Sequence, residues 1–191
     1  MEVTETFYAR DRIQWRAWLK KYHTSKKEIW LIYYKKNASR ERIPYNDAVE
    51  EALCFGWIDS ILKPIDGEKY CQRYTHRRPG SKLSPMNTER VRRLIRQKKM
   101  TPAGFGAIQH THHSRRSGEM IDKRFVIPAD LRTRLKENKN IWKNFQKFPL
   151  SYKRIRIGWI EGARHRPKIF EQRLSYFLKM TAANKKFGMV Q

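Results

Sequence analysis

Large apolar residues recur along the first half of the chain at the spacings of helices and strands. Between Asp11, which suits a helix N-cap, and Tyr22, tryptophan and leucine residues recur on one helical face. The segment EIWLIYYK at 28–35 is rich in β-branched and aromatic residues and too short for a core helix, so it predicts a strand. Pro44 suits the first position of a second buried helix over 44–56, with its acidic residues turned outward.

The apolar period changes after this second helix. Isoleucines and tyrosines over 57–76, on either side of an aspartate-glycine turn, predict two short strands joined by a hairpin. Ser84 or Asn87 then suits the N-cap of a third amphipathic helix. A threonine-proline pair at 101–102 suits the start of a short fourth helix.

The second half of the chain separates into an aperiodic segment and a helical one. Residues 110–127, which begin HTHHSRRSGEMIDK, are polar and contain glycine, and they predict a linker or flexible loop. From Pro128 onward apolar residues recur at helical spacing. We therefore predict an α+β fold, with a small antiparallel sheet and helices in an N-terminal domain, 1–109, and an all-helical C-terminal domain, 128–191.

The composition indicates a folded chain that needs no covalent staple. Of 191 residues, 39% are hydrophobic and 13% aromatic, too many for a disordered basic tail. The two cysteines, Cys54 and Cys71, show neither CxxC nor Cys/His spacing, which argues against a zinc site and a disulfide scaffold. No apolar run is long enough to span a membrane, and the N-terminus lacks an apolar targeting stretch. We expect a cytoplasmic protein with no metal and no cofactor.

Positive charge is the strongest compositional feature. Lysines and arginines number 43 against 18 aspartates and glutamates, which gives a net charge of +25. The densest stretch runs from Lys69 to Lys99, where eleven lysines and arginines are accompanied by Glu89 as the one acidic residue. A field of this sign attracts polyanions, so the partner we expect is an unknown acidic protein or polyanion, with nucleic acid as one possibility.

Several motifs resemble those of a known family. They are YNDAVEEALCFGWID at 45–59, YCQRYTHRRPGSKLSPMN at 70–87 and MTPAG at 100–104, followed by the helical stretch 128–186. With these motifs the chain resembles the bacterial YdeI/OmpD-associated, or bacteriocin-protection, family, and 128–186 resembles the helical domain by which that family is defined. The family's name refers to an outer-membrane porin and to bacteriocin sensitivity. The resemblance therefore implies a role connected with such a porin or with bacteriocin sensitivity. It implies no catalytic residues.

The turn and helix that follow the predicted hairpin hold residue types suited to an anion. Arginine offers planar bidentate donors to phosphate, and a helix start capped by serine or asparagine adds free backbone N–H groups. The residues that would bind an anion or nucleic acid are Arg73, Arg77, Arg78, Lys82, Ser84, Asn87, Arg92 and Arg96. At about 100° per residue, Arg92 and Arg96 fall opposite the apolar face of their helix, so we expect both to be exposed. The alternative is a solvated basic face with an ordinary helix cap.

Aromatic residues on or beside the predicted strands form a second candidate site. Trp57, Asp59, Tyr70 and Tyr74 could line a cleft with Arg73. In such a cleft a base stacks on an aromatic face and the arginine holds a phosphate. Aromatic residues at strand spacing more often belong to a core, which is the alternative interpretation.

No residue pattern indicates a reaction. Cys54 with His76 as its base would need a third orienting group, and a cysteine in an apolar helix is more often a buried hydrophobe. His110, His112 and His113 have no acidic or cysteine partner at metal-binding spacing. Because the chain also has no phosphate-binding loop, dinucleotide fingerprint or nucleophile elbow, we expect a binding protein rather than an enzyme.

These observations leave three functions open. We favour a non-enzymatic bacteriocin-protection protein that acts in antimicrobial or envelope-stress tolerance by binding a partner through a basic surface. The alternatives are an electrostatic nucleic-acid binder and an enzyme or binder for a small phosphorylated ligand. The C-terminal helices could supply a second basic surface, made of Lys153, Arg154, Arg156, Arg164, Arg166, Lys168 and Arg173.

Overall fold

The chain divides into two compact units. The computed structural model describes residues 2–109 and 124–188. The bounds of the units are Met1–Lys82 with Arg90–Ile121 for the first, and Leu83–Glu89 with Asp122–Gln191 for the second.

In its described residues, the first unit combines a four-stranded sheet with helices. The elements of the N-terminal part, in chain order, are β1 (Thr6–Tyr8), α1 (Arg12–Tyr22), β2 (Glu28–Tyr34), α2 (Tyr45–Cys54), β3 (Trp57–Pro64), β4 (Lys69–His76), α3 (Pro85–Arg96) and α4 (Pro102–Ile108). The first residues of α3, up to Glu89, fall in the second unit. The sequence patterns predicted all of these elements except β1.

The sheet has the strand order β1-β2-β4-β3. Both β2 and β3 pair antiparallel with β4, whereas β1 pairs parallel with β2. The predicted fold class and the predicted hairpin are therefore confirmed. The parallel edge strand was not predicted, because three residues are too few to show an alternating pattern.

A cluster of tryptophans packs α1 against the sheet. The ring of Trp15 lies 5.3 Å from that of Trp18 and 5.3 Å from that of Tyr74 on β4, measured between centroids. Trp18 in turn lies 5.8 Å from Trp57 on β3. The Nε1 of Trp15 donates to the carbonyl oxygen of Ala48 at 3.0 Å, which joins α1 to α2. The aromatic face predicted for α1 thus forms the centre of the first core.

Two glycines allow the chain to pack tightly where α2 ends. Gly56 has a φ of +77°, a left-handed conformation that favours glycine and lets the chain turn from α2 into β3. Gly104 of α4 lies against the carbonyl group of Cys54, and a Cβ at this position would overlap that carbonyl oxygen. Thr101 caps α4, as predicted, by accepting from the N–H of Gly104, and its hydroxyl donates to the carbonyl oxygen of Cys54 at 2.6 Å.

Residues 124–188 of the second unit contain four further helices, as the apolar spacing predicted. They are α5 (Ala129–Lys136), α6 (Lys139–Lys147), α7 (Leu150–Glu161) and α8 (Pro167–Ala182). Their shared core includes Leu131, Leu135, Phe145, Tyr152, Ile160, Leu174 and Phe177. One buried polar contact joins α6 to the end of α8, where the Nδ2 of Asn144 donates to the carbonyl oxygen of Thr181 at 3.0 Å.

Some predictions about the whole chain concern residues that the structure does not describe. The predicted linker, 110–127, lies outside the described residues except for 124–127, and the predicted domain boundaries stay predictions. Within 2–109 and 124–188, no helix is both long and apolar enough to cross a membrane.

Candidate functional site

The first two arginines of the predicted anion site are bound within the first unit. Arg73 on β4 forms an ion pair with Glu28 on β2, and this hydrogen bond is the main reason that the pKa of Glu28 is lowered. Arg77 is buried and its Nη2 donates to the carbonyl oxygen of Ser81. Burial also lowers the pKa of Arg77. The Arg73 guanidinium therefore joins β4 to β2, and that of Arg77 makes a local contact with the turn that follows β4.

The remaining residues of the predicted anion site differ in exposure. Arg78, Lys82 and Arg96 are exposed, whereas Arg92 is only 9% exposed, which corrects the expectation that it faces solvent. The prediction from helical spacing was wrong for this residue because the buried positions of α3 extend beyond its apolar face. Ser84 caps α3, as predicted, by accepting from the N–H of Asn87 at 3.2 Å within the second unit. A shared anion site for these residues stays a prediction.

Three more arginines form ion pairs with buried carboxylates. Glu50 and Glu51 of α2 have side chains that are 5% and 2% exposed, which corrects the expectation that they point outward. Arg12 bonds to both carboxylates, and Arg16 reaches Glu51 at 2.5 Å. Arg93 of α3 also pairs with Glu50. Glu50 and Glu51 can therefore be buried, because the arginines of neighbouring helices offset the cost of burying their carboxylates.

Three residues of the predicted cleft belong to a tyrosine cluster on the sheet. The hydroxyl groups of Tyr33 and Tyr74 are 2.9 Å apart, and the Tyr33 ring stacks on that of Tyr70 at 5.3 Å. Asp59, which lies opposite Tyr74 in the sheet, accepts from the hydroxyl of Tyr45 at 2.7 Å. Burial and this contact raise the pKa of Tyr45 to about 12.

Two members of this cluster were not predicted from the sequence, and one residue of the predicted cleft lies elsewhere. Tyr33 and Tyr45 complete the cluster, and the strand pairing that brings Tyr33 beside Tyr70 leaves no local signal. Trp57 belongs to the tryptophan core, where its ring lies 4.8 Å from His76 and its Nε1 donates to the carbonyl oxygen of His23.

The residues considered for nucleophilic or metal chemistry are not arranged for it in the described ranges. Cys54 is buried, and burial raises the pKa of its thiol to about 11, so it is protonated at neutral pH. His76 is exposed, and a ring nitrogen lies 2.9 Å from the carbonyl oxygen of Lys26. Among residues 2–109 and 124–188, no group of three histidine, cysteine or acidic side chains could hold a metal ion. The histidines at 110, 112 and 113 lie outside these ranges.

Most arginines of the predicted second basic surface are also engaged within the second unit. Arg164 bonds to the carboxylates of Asp130 at 3.0 Å and Glu161 at 2.5 Å. Arg173 lies 4.8 Å from the ring centre of Trp159 and donates to its carbonyl oxygen. Arg154 and Arg156 of α7 are largely buried. Arg166, just before α8, and Lys168, within α8, are exposed.

An exposed row of lysines runs along α6, and we call it the lysine face. It consists of Lys139, Lys143 and Lys147, which are spaced four residues apart and therefore lie on one side of the helix. The helix sequence, KNIWKNFQK, contains no acidic residue, and none of the three lysines has an ion pair in the described part of the chain. This face was not predicted from the sequence, although the four-residue spacing of its lysines was a signal that could have identified it.

Two family models match consecutive parts of the chain. One, described as a domain of unknown function (DUF8412), matches residues 7–107, which run from within β1 to near the end of α4. The other, described as Bacteriocin-protection, YdeI or OmpD-Associated, matches residues 124–184, which include α5 to α8 and the lysine face. No curated protein and no solved structure matches the chain.

These matches confirm the family resemblance for the C-terminal helices. The motifs at 45–59, 70–87 and 100–104 lie within the range of the other model, so the likeness to bacteriocin-protection proteins is established for 124–184. The model for the domain of unknown function covers more than half of the chain. The chain therefore belongs to the DUF8412 family, and it carries a bacteriocin-protection, YdeI or OmpD-associated segment at 124–184.

Proposed function

We propose that this protein acts in tolerance to bacteriocins, without catalysis, by binding an acidic partner protein in the cytoplasm through the lysine face. The observation that carries the proposal is the exposed, unpaired row formed by Lys139, Lys143 and Lys147 within the bacteriocin-protection segment. The two free, buried cysteines suit the reducing conditions of the cytoplasm.

The ion pairs of the second unit explain why these lysines remain available. Residues 124–188 contain 17 lysines and arginines and four acidic residues. Arg164 bonds to two of the acids, as described above, and Arg134 lies 3.6 Å from Glu137 and 3.7 Å from Glu171. Two arginines thus occupy all four carboxylates of this range.

A row of unpaired lysines is unfavourable for the isolated helix. Like charges four residues apart destabilise a helix by roughly 0.2–0.5 kcal/mol per pair. A bound acidic surface removes this repulsion, and electrostatic attraction also speeds its association. An exposed helix face suits an extended acidic surface better than a small phosphorylated ligand, which proteins usually bind in concave pockets.

Charge reversal on the lysine face tests this proposal in the native host. The variant K139E/K143E/K147E should survive a bacteriocin challenge no better than a deletion strain. The matched control K20E/K27E/K36E changes the same number of exposed lysines in the first unit and should protect as well as the wild type. Full protection by the lysine-face variant would show that the proposed surface is wrong.

A binding experiment separates an acidic protein from nucleic acid. Purified wild type is titrated with polyglutamate and with an oligonucleotide of equal charge at several salt concentrations. We expect polyglutamate to bind more tightly and the lysine-face variant to lose about tenfold or more in its affinity. Tighter binding of the oligonucleotide, with a steep logarithmic salt dependence that weakens in the lysine-face variant, would instead support the nucleic-acid alternative.

A further inference from the structure

The segment that follows α8 folds back onto the second unit through Phe187. Its ring centroid lies 4.8 Å from that of Tyr176, 5.8 Å from that of Trp159 and 6.3 Å from that of Tyr152. The guanidinium carbon of Arg156 lies 4.0 Å from the centre of the Phe187 ring. We call the surroundings of this ring, formed by residues 152, 156 and 159 of α7 and 176 of α8, the Arg156 niche.

Arg156 is a buried cation without an anionic partner in the described part of the chain. It is 6% exposed, its Nη2 donates to the carbonyl oxygen of Phe187, and its Nε is buried without a hydrogen-bond partner. Burial lowers its pKa, and the groups that oppose this effect are Tyr152 and Tyr176 rather than a carboxylate. The Nε–Nη2 edge of the guanidinium, a donor pair that can bind a carboxylate in bidentate fashion, is therefore only half used.

The four acidic residues of 124–188 do not supply the missing anion. All four form ion pairs with Arg134 or Arg164. A buried guanidinium without a counter-charge is costly, because its desolvation is not repaid by an ion pair. An arriving carboxylate would find two donors on one edge of Arg156, within a range, 124–188, that has 17 lysines and arginines against four acidic residues.

Besides the packing of its ring, Phe187 is held in the niche by backbone hydrogen bonds with Arg156 and Tyr152. The N–H of Phe187 donates to the hydroxyl of Tyr152 at 3.3 Å, a long hydrogen bond. Gly188 has a φ of +74°, and a Cβ at this position would overlap the guanidinium of Arg156. The backbone of Phe187 and Gly188 thus lies directly on the guanidinium and occupies Nη2, one of the two donors that a bidentate carboxylate would need.

We infer that the Arg156 niche is a binding site for a partner chain end in which an aromatic side chain stands beside a free carboxylate. The incoming ring takes the place of Phe187 among the aromatic residues. The incoming carboxylate replaces the Phe187 carbonyl oxygen and bonds to both Nε and Nη2 of Arg156. The segment that carries Phe187 acts as an internal competitor. This inference does not depend on the lysine face, and none of the residues of that face takes part in it.

The test compares one ligand in two chemical forms on full-length proteins. The probes are N-acetylglycylphenylalanine with a free carboxylate and the same compound as a carboxamide, titrated by calorimetry. In the variant F187A the niche loses its internal ring. We expect F187A to bind the acid about tenfold or more tightly than the wild type does, and about tenfold more tightly than it binds the amide.

Two further variants test the mechanism. G188V keeps the Phe187 ring but strains the backbone that covers the guanidinium, so it should also bind the acid more tightly than the wild type. R156K combined with F187A keeps a positive charge but removes the planar pair of donors, so the preference for the acid over the amide should largely disappear. Phe125 packs on the same core but is not among the rings around Phe187, so F125A should leave both affinities as in the wild type.

The acid and amide titrations of F187A decide the inference even if R156K does not fold. Equal affinity of F187A for the two probes would overturn it, as would the absence of binding at millimolar concentrations of either probe. Because these measurements use purified protein and leave the lysines unchanged, their failure is distinct from a failure of the bacteriocin-tolerance proposal.

Discussion

Glu50 and Glu51 lie next to each other on α2 with their carboxylates almost fully buried. Arg12 and Arg16 of α1 bond to them, and Arg93 of α3 bonds to Glu50. In Arg12, burial acts to lower the pKa, but the hydrogen bonds with Glu51 and Glu50 raise it overall. At the scale of single residues, the surroundings of a charged side chain in this protein thus depend on contacts with residues that are distant in the sequence.

Removing the Glu51 carboxylate leaves Arg16 without its ion-pair partner and leaves Arg12 with one buried carboxylate, that of Glu50. We expect E51Q to lower the free energy of unfolding by about 2–3 kcal/mol, because the charge-assisted hydrogen bonds of both arginines to Glu51 are lost. Urea denaturation measures this change. The exposed Glu68 provides the control, since E68Q should change stability by less than about 0.5 kcal/mol. An equally small effect of E51Q would show that the buried ion pairs contribute little.

Tyr45 gives the stability of the first unit a specific dependence on alkaline pH. Its pKa is raised from 10.0 to about 12, so the folded state holds the phenolic proton more tightly than the unfolded state. The contribution to stability is therefore fully present below pH 10.0 and is lost as the pH rises to about 12. Y45F should lose less stability across this interval than the wild type, as measured by denaturant unfolding. Y176F, at an exposed tyrosine, should keep the pH dependence of the wild type, and an unchanged slope in Y45F would contradict the assignment.

At the scale of elements, local sequence patterns predicted the helices and strands better than they predicted the surroundings of single charged residues. The spacing of apolar residues identified α1, α2 and the β3–β4 hairpin, and the predicted caps at Asp11 and Thr101 make their expected hydrogen bonds. These features depend on neighbours within four residues along the chain, which a single sequence contains. The close packing of α4 against the end of α2 could not be predicted in this way, because it depends on residues 50 positions apart.

Two glycines of α4 give a matched test of that packing. G104A places a methyl group against the carbonyl group of Cys54, so we expect it to lower the free energy of unfolding by about 2 kcal/mol or more. Gly106 has open space around its Cα, and G106A should instead stabilise the helix by about 0.5–1 kcal/mol. Thermal unfolding of both variants measures the difference. Similar effects of the two substitutions would rule out the close approach.

At the scale of the whole molecule, the 18 acidic residues are too few to pair with all 43 lysines and arginines, and the net charge is +25. The described arginines take part in most of the buried contacts with carboxylates, whereas many lysines remain exposed. Arginine suits such contacts because its planar group makes several hydrogen bonds at once. The excess positive charge is therefore carried mainly by lysines on the surface.

Self-repulsion of these exposed charges predicts an unusual response to salt. Raising NaCl from about 20 to about 300 mM should increase the midpoint of thermal unfolding by roughly 2–4 °C, because screening weakens repulsion more than it weakens buried ion pairs. Calorimetry measures the shift. The variant K139E/K143E/K147E has a lower net charge and should respond less. A midpoint that falls with added salt would show that surface ion pairs dominate instead.

The sequence by itself determined the α+β class, the helices and the hairpin, and the likeness of 124–184 to bacteriocin-protection proteins. Each of these follows from residue types at short, regular spacing or from an ordered run of motifs. Only the tertiary structure decided which charges are free, which tyrosines meet Asp59, and that Arg156 is covered by Phe187. These outcomes arise from contacts between distant parts of the chain, since burial and charge pairing depend on which elements pack together and not on the order of residues within them.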